Sequence, residues 1–589
     1  MYKVTKKLMN KGKRVGFEVQ TENGKLQDYT DNAIKNLMRN GKIFNITYNE
    51  RGFQFKDNST TIKDLPSKTC DKVHLSGTHR TSIVTDEYTS NALKQYIDNS
   101  GSLNLKSRDF VNAIIEYCKS NEKRVLSISG LRGTGKTTGI IQSINKLGDF
   151  NNTVFINIDA TAEMTCLDLR NLILTKYKNK KYIFIDEITR IKDLINNSAF
   201  LSDNLCMNGR KVIISGTDSL ALTKSKNAGL YHRMININVT HISFTEAQRT
   251  ANQSLREYIE MGGLYRADSI RDIDGLREYI DTAVVDNIMN TLTKNNGVES
   301  LLNISGINRT KLRTIVFRIL YAVIYMNMQK IKPTSINFII ELYDHSSSSL
   351  YNVDTLNSLL CREMNVDEVI NTNIQEIGTV LDAMQELGLL IKIPNLCNRR
   401  QFQYYITNPS IVNQIMKSLV DILDTTNLRK KSTATVKGIK GKIFESIVIT
   451  HTKKTTDKIG YNVYYYHDNN NAEIDLIVEK ITGTAFDDLY LYYEIKMTSD
   501  ADTATVKARW INDNNIVSNQ NGRIVGKGII YGGETKRFKG FESNSIYPPK
   551  GMTLEQIEQQ NMNIELISAE DYLKNTKSKL SILESYYTD

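Results

Sequence analysis

Apolar residues alternate with polar ones in some stretches and recur at helical spacing in others, and this rhythm divides the chain. Near the start, Val15–Gln20 alternates as a strand does, and Glu22-Asn23-Gly24 supplies a turn. Thr30–Arg39 has helical spacing, and Lys42–Tyr48 and Gly52–Lys56 read as further strands. Asn58–Thr69 is polar around Pro66 and reads as a linker. Leu93–Ile97 and Ser107–Cys118 place apolar residues at helical intervals. From 124 to 245, short apolar strands alternate with helical segments: Arg124–Ser129, Thr153–Ile158, Lys181–Ile185, Lys211–Ser215 and Met234–Val239. That alternation predicts a parallel sheet covered on both faces. Residues 250–420 are mainly helical, with Thr314–Met328 expected as a buried helix. Within them, Glu376–Leu387, Leu389–Ile393 and Gln401–Ile406 read as helix, strand, turn and strand, the outline of a winged helix. Residues 421–437 (with Thr425, Thr426, Arg429, Lys430 and Lys431) read as a basic linker, and 438–589 as a last α/β unit.

The expected fold class is therefore a multidomain α/β chain. A small basic α+β domain occupies 1–65, and a linker with helices 66–120. The parallel-sheet core follows over 121–248, a helical region over 249–370, a winged-helix-like region over 371–420 and the final α/β domain over 438–589. A length of 589 residues fits several domains rather than one core. With 40% apolar and 24% charged residues the composition is that of a globular protein. Thr314–Met328, the most apolar run, contains Arg318 and is shorter than the ~20 residues a membrane span requires. No apolar block follows the basic N-terminus, so a signal peptide is not expected, nor a membrane partner. The six cysteines (Cys70, Cys118, Cys166, Cys206, Cys361 and Cys397) never have C-x-x-C spacing. That argues against a zinc site or disulfide framework and suits a reducing cytoplasm. Of the net charge of +11, most lies at the front, where residues 1–80 hold 16 Lys and Arg against 8 Asp and Glu. Such a surface attracts nucleic acid through counterion release, and it reads equally well as a solvated lysine-rich face.

The strongest chemical signal is Gly130-Leu131-Arg132-Gly133-Thr134-Gly135-Lys136-Thr137, a complete G-x-x-x-x-G-K-[ST] between a strand and a helix opened by Thr138. Glycines let the backbone curl so that amides face phosphate, and the helix N-terminus adds positive potential. Gly130, Gly133, Thr134, Gly135, Lys136, Thr137 and Thr138 thus form the expected triphosphate cradle. Lys136 meets the β- and γ-phosphates, and the Thr137 hydroxyl holds Mg²⁺. The second signal, Tyr182-Ile183-Phe184-Ile185-Asp186-Glu187, ends an apolar strand in two carboxylates. Asp186 is expected beside the metal, and Glu187 prepares the attacking water. After the strand Lys211–Ser215, Thr217 is the first choice for a sensor of the γ-phosphate and Asp218 the second. Arg233 reads equally as an arginine finger, from the same or a neighbouring subunit, and as a surface arginine. ATP and Mg²⁺ are the expected cofactors.

These residues resemble the bacterial and archaeal AAA-type ATPases that carry a C-terminal restriction-endonuclease-like domain of unknown function. The resemblance rests on the motifs at 130–137 and Ile185-Asp186-Glu187-Ile188 and on Ser215-Gly216-Thr217-Asp218-Ser219. It continues through Leu230–Arg233, Ile242-Ser243-Phe244-Thr245-Glu246, the segment 376–406 and Gly441-Lys442-Ile443-Phe444-Glu445, and covers roughly 85–535. The chain departs from the family in having Thr189-Arg190 where Gln is usual, and His232 where Gly is common.

In the last unit, three pieces align with a PD-(D/E)XK nuclease core: Glu445 on an expected helix Gly441–Thr450, Asp475 in a strand, and Glu494-Ile495-Lys496 at the end of another. Residues two apart on a strand share a face, so Glu494 and Lys496 converge and Asp475 can join them. Glu445, Asp475 and Glu494 are the expected metal ligands there, and Lys496 handles the water. A helix Thr503–Asp513 and a strand Lys527–Tyr531 complete the expected order. His451 and His467 read as core or surface residues rather than ligands. The function expected is an ATP-hydrolysing protein acting on nucleic acid, DNA favoured, as a possible homo-oligomer in a mobile-element or defence setting. The alternatives are a signalling or assembly switch whose last domain binds without cleaving, and a structural protein that binds ATP without turnover.

Overall fold

The computed structural model describes six short strands between residues 3 and 69, then 85–159, 164–191, 193–217, 220, 222, 230–265, 270–293, 307–329, 374–425, 429–468, 472–483, 487–507, 522–537 and 564–585. Near the N-terminus, β1 (Lys3–Asn10), β2 (Lys13–Gln20), β3 (Leu26–Thr30) and β6 (Ser67–Thr69) form one sheet in the order β3-β2-β1-β6, and β4 (Ile46–Asn49) pairs with β5 (Gly52–Phe55). Residues 67–69, expected in a linker, instead run parallel to β1. The expected helix Thr30–Arg39 and turn at 22–24 lie outside the described residues, apart from Thr30, which ends β3.

The parallel sheet forms from β8 (Val125–Ser129), β9 (Thr153–Ile158), β10 (Tyr182–Asp186), β11 (Lys211–Ser215) and β12 (Met234–Asn238), with β7 (Thr85–Thr89) antiparallel at one edge. The order is β12-β8-β11-β10-β9-β7. All five residues of β8, β10 and β11 are buried, as expected where helices cover both faces. In sequence β9 lies between the two phosphate motifs, but in space it is β11 that separates their strands. The register sets Ile185 beside Ile214 and Ser215 beside Ile128, so the ends of β8, β10 and β11 share one rim. β7 was not foreseen: Thr85-Asp86-Glu87-Tyr88-Thr89 lacks apolar alternation, and polar side chains suit an exposed edge.

The segment 374–406 adopts the expected helix (Ile374–Glu386) and antiparallel pair, β13 (Leu390–Pro394) with β14 (Phe402–Ile406). The helices Pro409–Thr425 and Arg429–Ile459 occupy most of the stretch expected as a linker, so the helix holding Glu445 is 31 residues long. Its run of Lys and Thr contains no proline, and polarity alone does not end a helix. A last sheet has the order β15-β16-β17-β18-β20-β19, from Asn462–His467, Glu473–Lys480, Asp488–Lys496, Gly522–Tyr531, Lys536–Arg537 and Ile564–Ser568 in the chain order of β15 to β20. β15 to β17 are antiparallel, and β17, β18 and β20 are parallel. The helix Ala501–Lys507 stands where Thr503–Asp513 was expected, and residues 508–513 lie outside the described set.

One apolar cluster runs from Leu131 and Phe244 through Ile315, Leu381 and Tyr405 to Phe444, Tyr493 and Leu583, so the middle and last segments share a core. The β13–β14 hairpin is tied to β15: Leu396 N–H donates to the Tyr465 carbonyl at 2.8 Å, and Asn395 Nδ2 to the His467 carbonyl at 2.8 Å. Among the described residues, no helix is long and apolar enough to cross a membrane. The described cysteines Cys118, Cys166, Cys206 and Cys397 are free.

Just beyond β12, His241 is buried with its ring nitrogens 2.8 Å from Thr407 Oγ1 and 2.8 Å from Tyr279 OH. Burial holds its pKa well below the ordinary 6.5, and burial also lowers His451 to about 4. Both are neutral when folded and take up a proton when unfolded below about pH 6.5, so acid favours the unfolded chain. Stability measured by urea unfolding should fall as pH drops from 6.5 toward 4. His241→Gln should make that fall shallower by about 1.4 kcal/mol per pH unit, one proton's worth. Equal slopes for the two proteins would contradict the buried neutral imidazole.

Candidate functional site

At the rim where β8, β10 and β11 end, the chain gathers a cluster of polar side chains. After Ser129 the loop turns through Gly130 (φ +149°), Gly133 (φ +80°) and Gly135 (φ +85°) before the helix Lys136–Leu147 begins. A Cβ on Gly130 would lie 2.2 Å from the Val239 carbonyl oxygen, so the first glycine is required by close approach as well as by φ. Several of the loop's carbonyls accept hydrogen bonds. Lys136 Nζ donates to Gly130 O at 2.7 Å and Leu131 O at 3.0 Å. Thr134 Oγ1 donates to Leu131 O at 2.8 Å, and the Tyr265 amide to Gly133 O at 3.3 Å. Burial lowers the Lys136 ammonium to about 8, although the nearby Glu187 and Asp186 favour its charge.

Thr137 Oγ1 donates to Asp186 Oδ2 at 2.7 Å. Ser215, the last residue of β11, donates its hydroxyl to Asp186 Oδ1, which also accepts the Glu187 amide at 3.0 Å. Burial raises the Asp186 pKa, and the Ser215 and Thr137 hydroxyls oppose that rise. A hydroxyl and a carboxylate meeting in this way are the hard oxygen donors that Mg²⁺ prefers. Glu187 has φ +57°, rare for a residue with a side chain, and its Oε2 accepts from Thr217 Oγ1 at 2.5 Å and the Thr217 amide at 3.2 Å. Arg190 Nε stands 3.8 Å from the same oxygen, and Asn287 Nδ2 donates to the Thr217 carbonyl at 2.6 Å. The Thr217 hydroxyl is therefore engaged with Glu187. Thr138 is half-buried on the first turn of the helix. Asp218 lies outside the described residues.

Arg233 does not join this cluster within one chain. It precedes Met234, which pairs with Val125 at the start of β8, so it stands at the opposite rim with Nε 3.3 Å from Asp203 Oδ1. The five residues of β12 separate the two rims, roughly 16 Å at strand rise.

In the last sheet, Lys496 Nζ bridges Asp475 Oδ2 at 3.0 Å and Glu494 Oε2 at 2.6 Å, and the Ile495 amide donates to Asp475 Oδ2 at 2.8 Å. Burial disfavours charge on Asp475, but Lys496, Lys442 and the Ile495 amide outweigh it and hold the carboxyl at about 2. Burial and the neighbouring Asp475 push Glu494 well above the carboxylate range. Glu445 accepts from Lys442 Nζ at 2.5 Å. Among the described residues, no three His, Cys, Asp or Glu side chains are grouped to hold a metal ion. Lys442 pairs with Glu445, and Lys496 with Asp475 and Glu494. His467 takes part through its backbone, and the half-buried His451 lines a small cavity with Lys454.

Several contributors were missed in the sequence. Ser215 ends the strand that had been singled out, but the choice fell two residues later. Arg108 is buried, and its Nε and Nη2 fork onto Glu246 at 3.1 and 2.6 Å. Its Nη1 donates to the Thr134 carbonyl at 2.7 Å. Ser243 accepts the Glu246 amide at 3.3 Å as a helix cap, while the Glu246 carboxylate serves Arg108 and the Asp109 amide. The Ser243-x-x-Glu246 spacing carried that signal, since it marks a helix start with a carboxylate in reach of the chain before it.

Comparison with known proteins agrees with part of this picture. Residues 122–248 match a family described as an AAA domain, and residues 440–539 a domain of unknown function, DUF4143. A comparison with curated proteins gave no match. Among solved structures, the chain is similar to Hsp104 of S. cerevisiae in a casein complex, with 16% identity, a TM-score of 0.21 and coverage of 28% of this chain and 32% of that one. It thus spans about a third of Hsp104. It is also similar to the Orc1 protein of Aeropyrum pernix in complex with DNA (9% identity, TM-score 0.21, 56% of this chain and 94% of that one). A third is Cdc6p of Pyrobaculum aerophilum (11% identity, TM-score 0.19, 57% and 96%). Residues 122–248 are an AAA-type P-loop ATPase domain.

Removing Lys496 would leave two buried carboxylates facing each other. Lys496→Met should destabilise the protein to denaturant by about 3 kcal/mol or more, and adding Asp475→Asn should restore part of the loss. A neutral Lys496→Met would contradict the compensated pair.

Proposed function

We propose that this chain hydrolyses ATP at the β8–β10–β11 rim and uses the cycle to act on nucleic acid, DNA in preference, through its last domain. The observation that carries the first half is the meeting of Thr137 and Asp186 at 2.7 Å beside Lys136, with Glu187 held next to them. Thr137 and Asp186 would hold Mg²⁺, which when bound supplies charge neutralisation at the β- and γ-phosphates. The amides of the loop and Lys136 bind and orient the triphosphate. Glu187 takes a proton from the attacking water, and Thr217 with Arg190 fixes the carboxylate that does so. Arg233 can face a triphosphate only in a second copy of the chain, so its reading as an arginine finger requires a homo-oligomer.

For the last domain, Glu494 Oε1 is a buried carboxylate oxygen without a hydrogen-bond partner among the described residues, a donor suited to a hard cation such as Mg²⁺. Asp475 and Glu494 would hold it, with Lys496 positioning a water toward a phosphodiester. The 130–137 loop binds nucleotide in either reading; what the second reading changes is the last domain. There Lys496 is a permanent counter-ion and the domain binds without cleaving, in a signalling or assembly switch. The ion pairs that already satisfy Asp475 and Glu445 favour that reading.

Glu187→Gln should lower kcat for phosphate release by about 100-fold or more while ATP affinity stays within about threefold, as for loss of a general base. Thr217→Val should lower kcat by about tenfold with KM little changed. Turnover of Glu187→Gln at the wild-type rate would remove Glu187 from the mechanism. Mg²⁺-dependent cutting of DNA that vanishes in Asp475→Ala and Lys496→Ala supports the nuclease reading. No cutting of DNA or RNA with ATP and Mg²⁺ or Mn²⁺ leaves the binding module.

A further inference from the structure

A phosphate-binding loop works only if successive peptide groups turn the same way, carbonyl out and amide in. In a trans peptide the C=O and the following N–H point in opposite directions, so whatever grips a carbonyl also aims the next amide. The Thr134 carbonyl is gripped by Arg108 Nη1 at 2.7 Å, which turns the Gly135 amide toward the opposite side. Gly135, at φ +85°, has no side chain of its own to fix that orientation. The same guanidinium nitrogen reaches the Thr240 carbonyl at 3.1 Å, just past β12.

Arg108 is itself held from every side. Glu246 Oε1 accepts from Arg108 Nε at 3.1 Å and from the Asp109 amide at 3.0 Å, and Glu246 Oε2 accepts Nη2 at 2.6 Å. Arg108 is 5% exposed and Glu246 7%, so the fork is a buried, bidentate pair rather than a surface contact. Glu246 is rigid in turn, because Ser243 caps the helix Phe244–Ala251 on its amide. Lysine cannot reproduce this: it has no planar fork to serve a carboxylate and two carbonyls together.

We propose that Arg108 is a positioning residue for the triphosphate, pre-setting the Thr134–Gly135 peptide so that the Gly135 amide is ready for phosphate, with Glu246 as the anchor that fixes Arg108. This inference rests on the ATPase reading above and goes beyond it by adding a residue outside both phosphate motifs. Its signature is in binding. Arg108 touches neither Glu187 nor Asp186 in this arrangement, so its loss should raise KM and leave the chemical step nearly intact. A purely structural role would lower yield and apparent kcat by reducing the folded fraction, with KM unchanged.

The test uses the full-length protein, Mg²⁺-ATP and steady-state phosphate release for Arg108→Lys, Glu246→Gln and Lys136→Ala. Arg108→Lys should raise KM about tenfold with kcat within about threefold, and Glu246→Gln should shift KM the same way by less. Should Arg108→Lys fail to fold, the nearly isosteric Glu246→Gln carries the test alone. A KM rise in either soluble variant supports the proposal. Wild-type KM in the soluble variants, with losses confined to kcat or yield, overturns it. Lys136→Ala separates the two levels: if it turns over ATP normally, the ATPase reading fails, and if only it loses activity, the role of Arg108 alone is wrong.

Discussion

The hold on four loop carbonyls, those of Gly130, Leu131, Gly133 and Thr134, is the constraint from which the rest of the site follows. Lys136 takes the carbonyls of Gly130 and Leu131, the Thr134 hydroxyl takes that of Leu131 as well, the Tyr265 amide that of Gly133, and Arg108 that of Thr134. The helix Lys136–Leu147 adds its positive end at the same rim. Such preorganisation costs energy, seen in glycine at positive φ and in a buried lysine whose pKa is lowered to about 8. The parallel sheet supplies the rigidity that sustains it, because β8, β10 and β11 are buried along their whole length.

The loop is also where the chain's parts meet. Tyr265 lies against Gly135 and follows Gly262 and Gly263. Those glycines are gripped from the other side by Asn408 and Ser410, which open the helix Pro409–Thr425. His241 joins the end of the parallel sheet to Thr407 on the same segment. From there the β13–β14 hairpin is bonded to β15, the edge of the last sheet. Hydrogen-bonded and packed segments thus join the phosphate loop to the edge of the last sheet.

Much of this was legible in the sequence because it depends on local spacing. The glycine loop, the apolar strand ending in Asp186-Glu187 and the Glu-x-Lys at 494–496 carry their geometry in consecutive residues. What stayed hidden depends on contacts across long separations. Arg108 and Glu246 lie 138 residues apart and Thr217 faces Glu187 across 30, so spacing could not reveal either partner. β7 was hidden because its edge position calls for polar residues, and the long helix Arg429–Ile459 because a lysine- and threonine-rich stretch looks like a linker. Arg233 read equally as a finger and as a surface arginine because proximity to β12 in sequence does not say at which end of a strand a residue stands. Lys442 stands three residues before Glu445 on one helix, and its pairing with that carboxylate was not read from the spacing.

The most direct measurement is a crystal structure of the protein with Mg²⁺ and a non-hydrolysable ATP analogue. The account predicts the β- and γ-phosphates against the amides of residues 133–137, with Lys136 Nζ moved from the Gly130 and Leu131 carbonyls onto phosphate oxygen and the metal between Thr137 and Asp186. Nucleotide bound elsewhere, or a filled loop with Lys136 still on its own carbonyls, would contradict it.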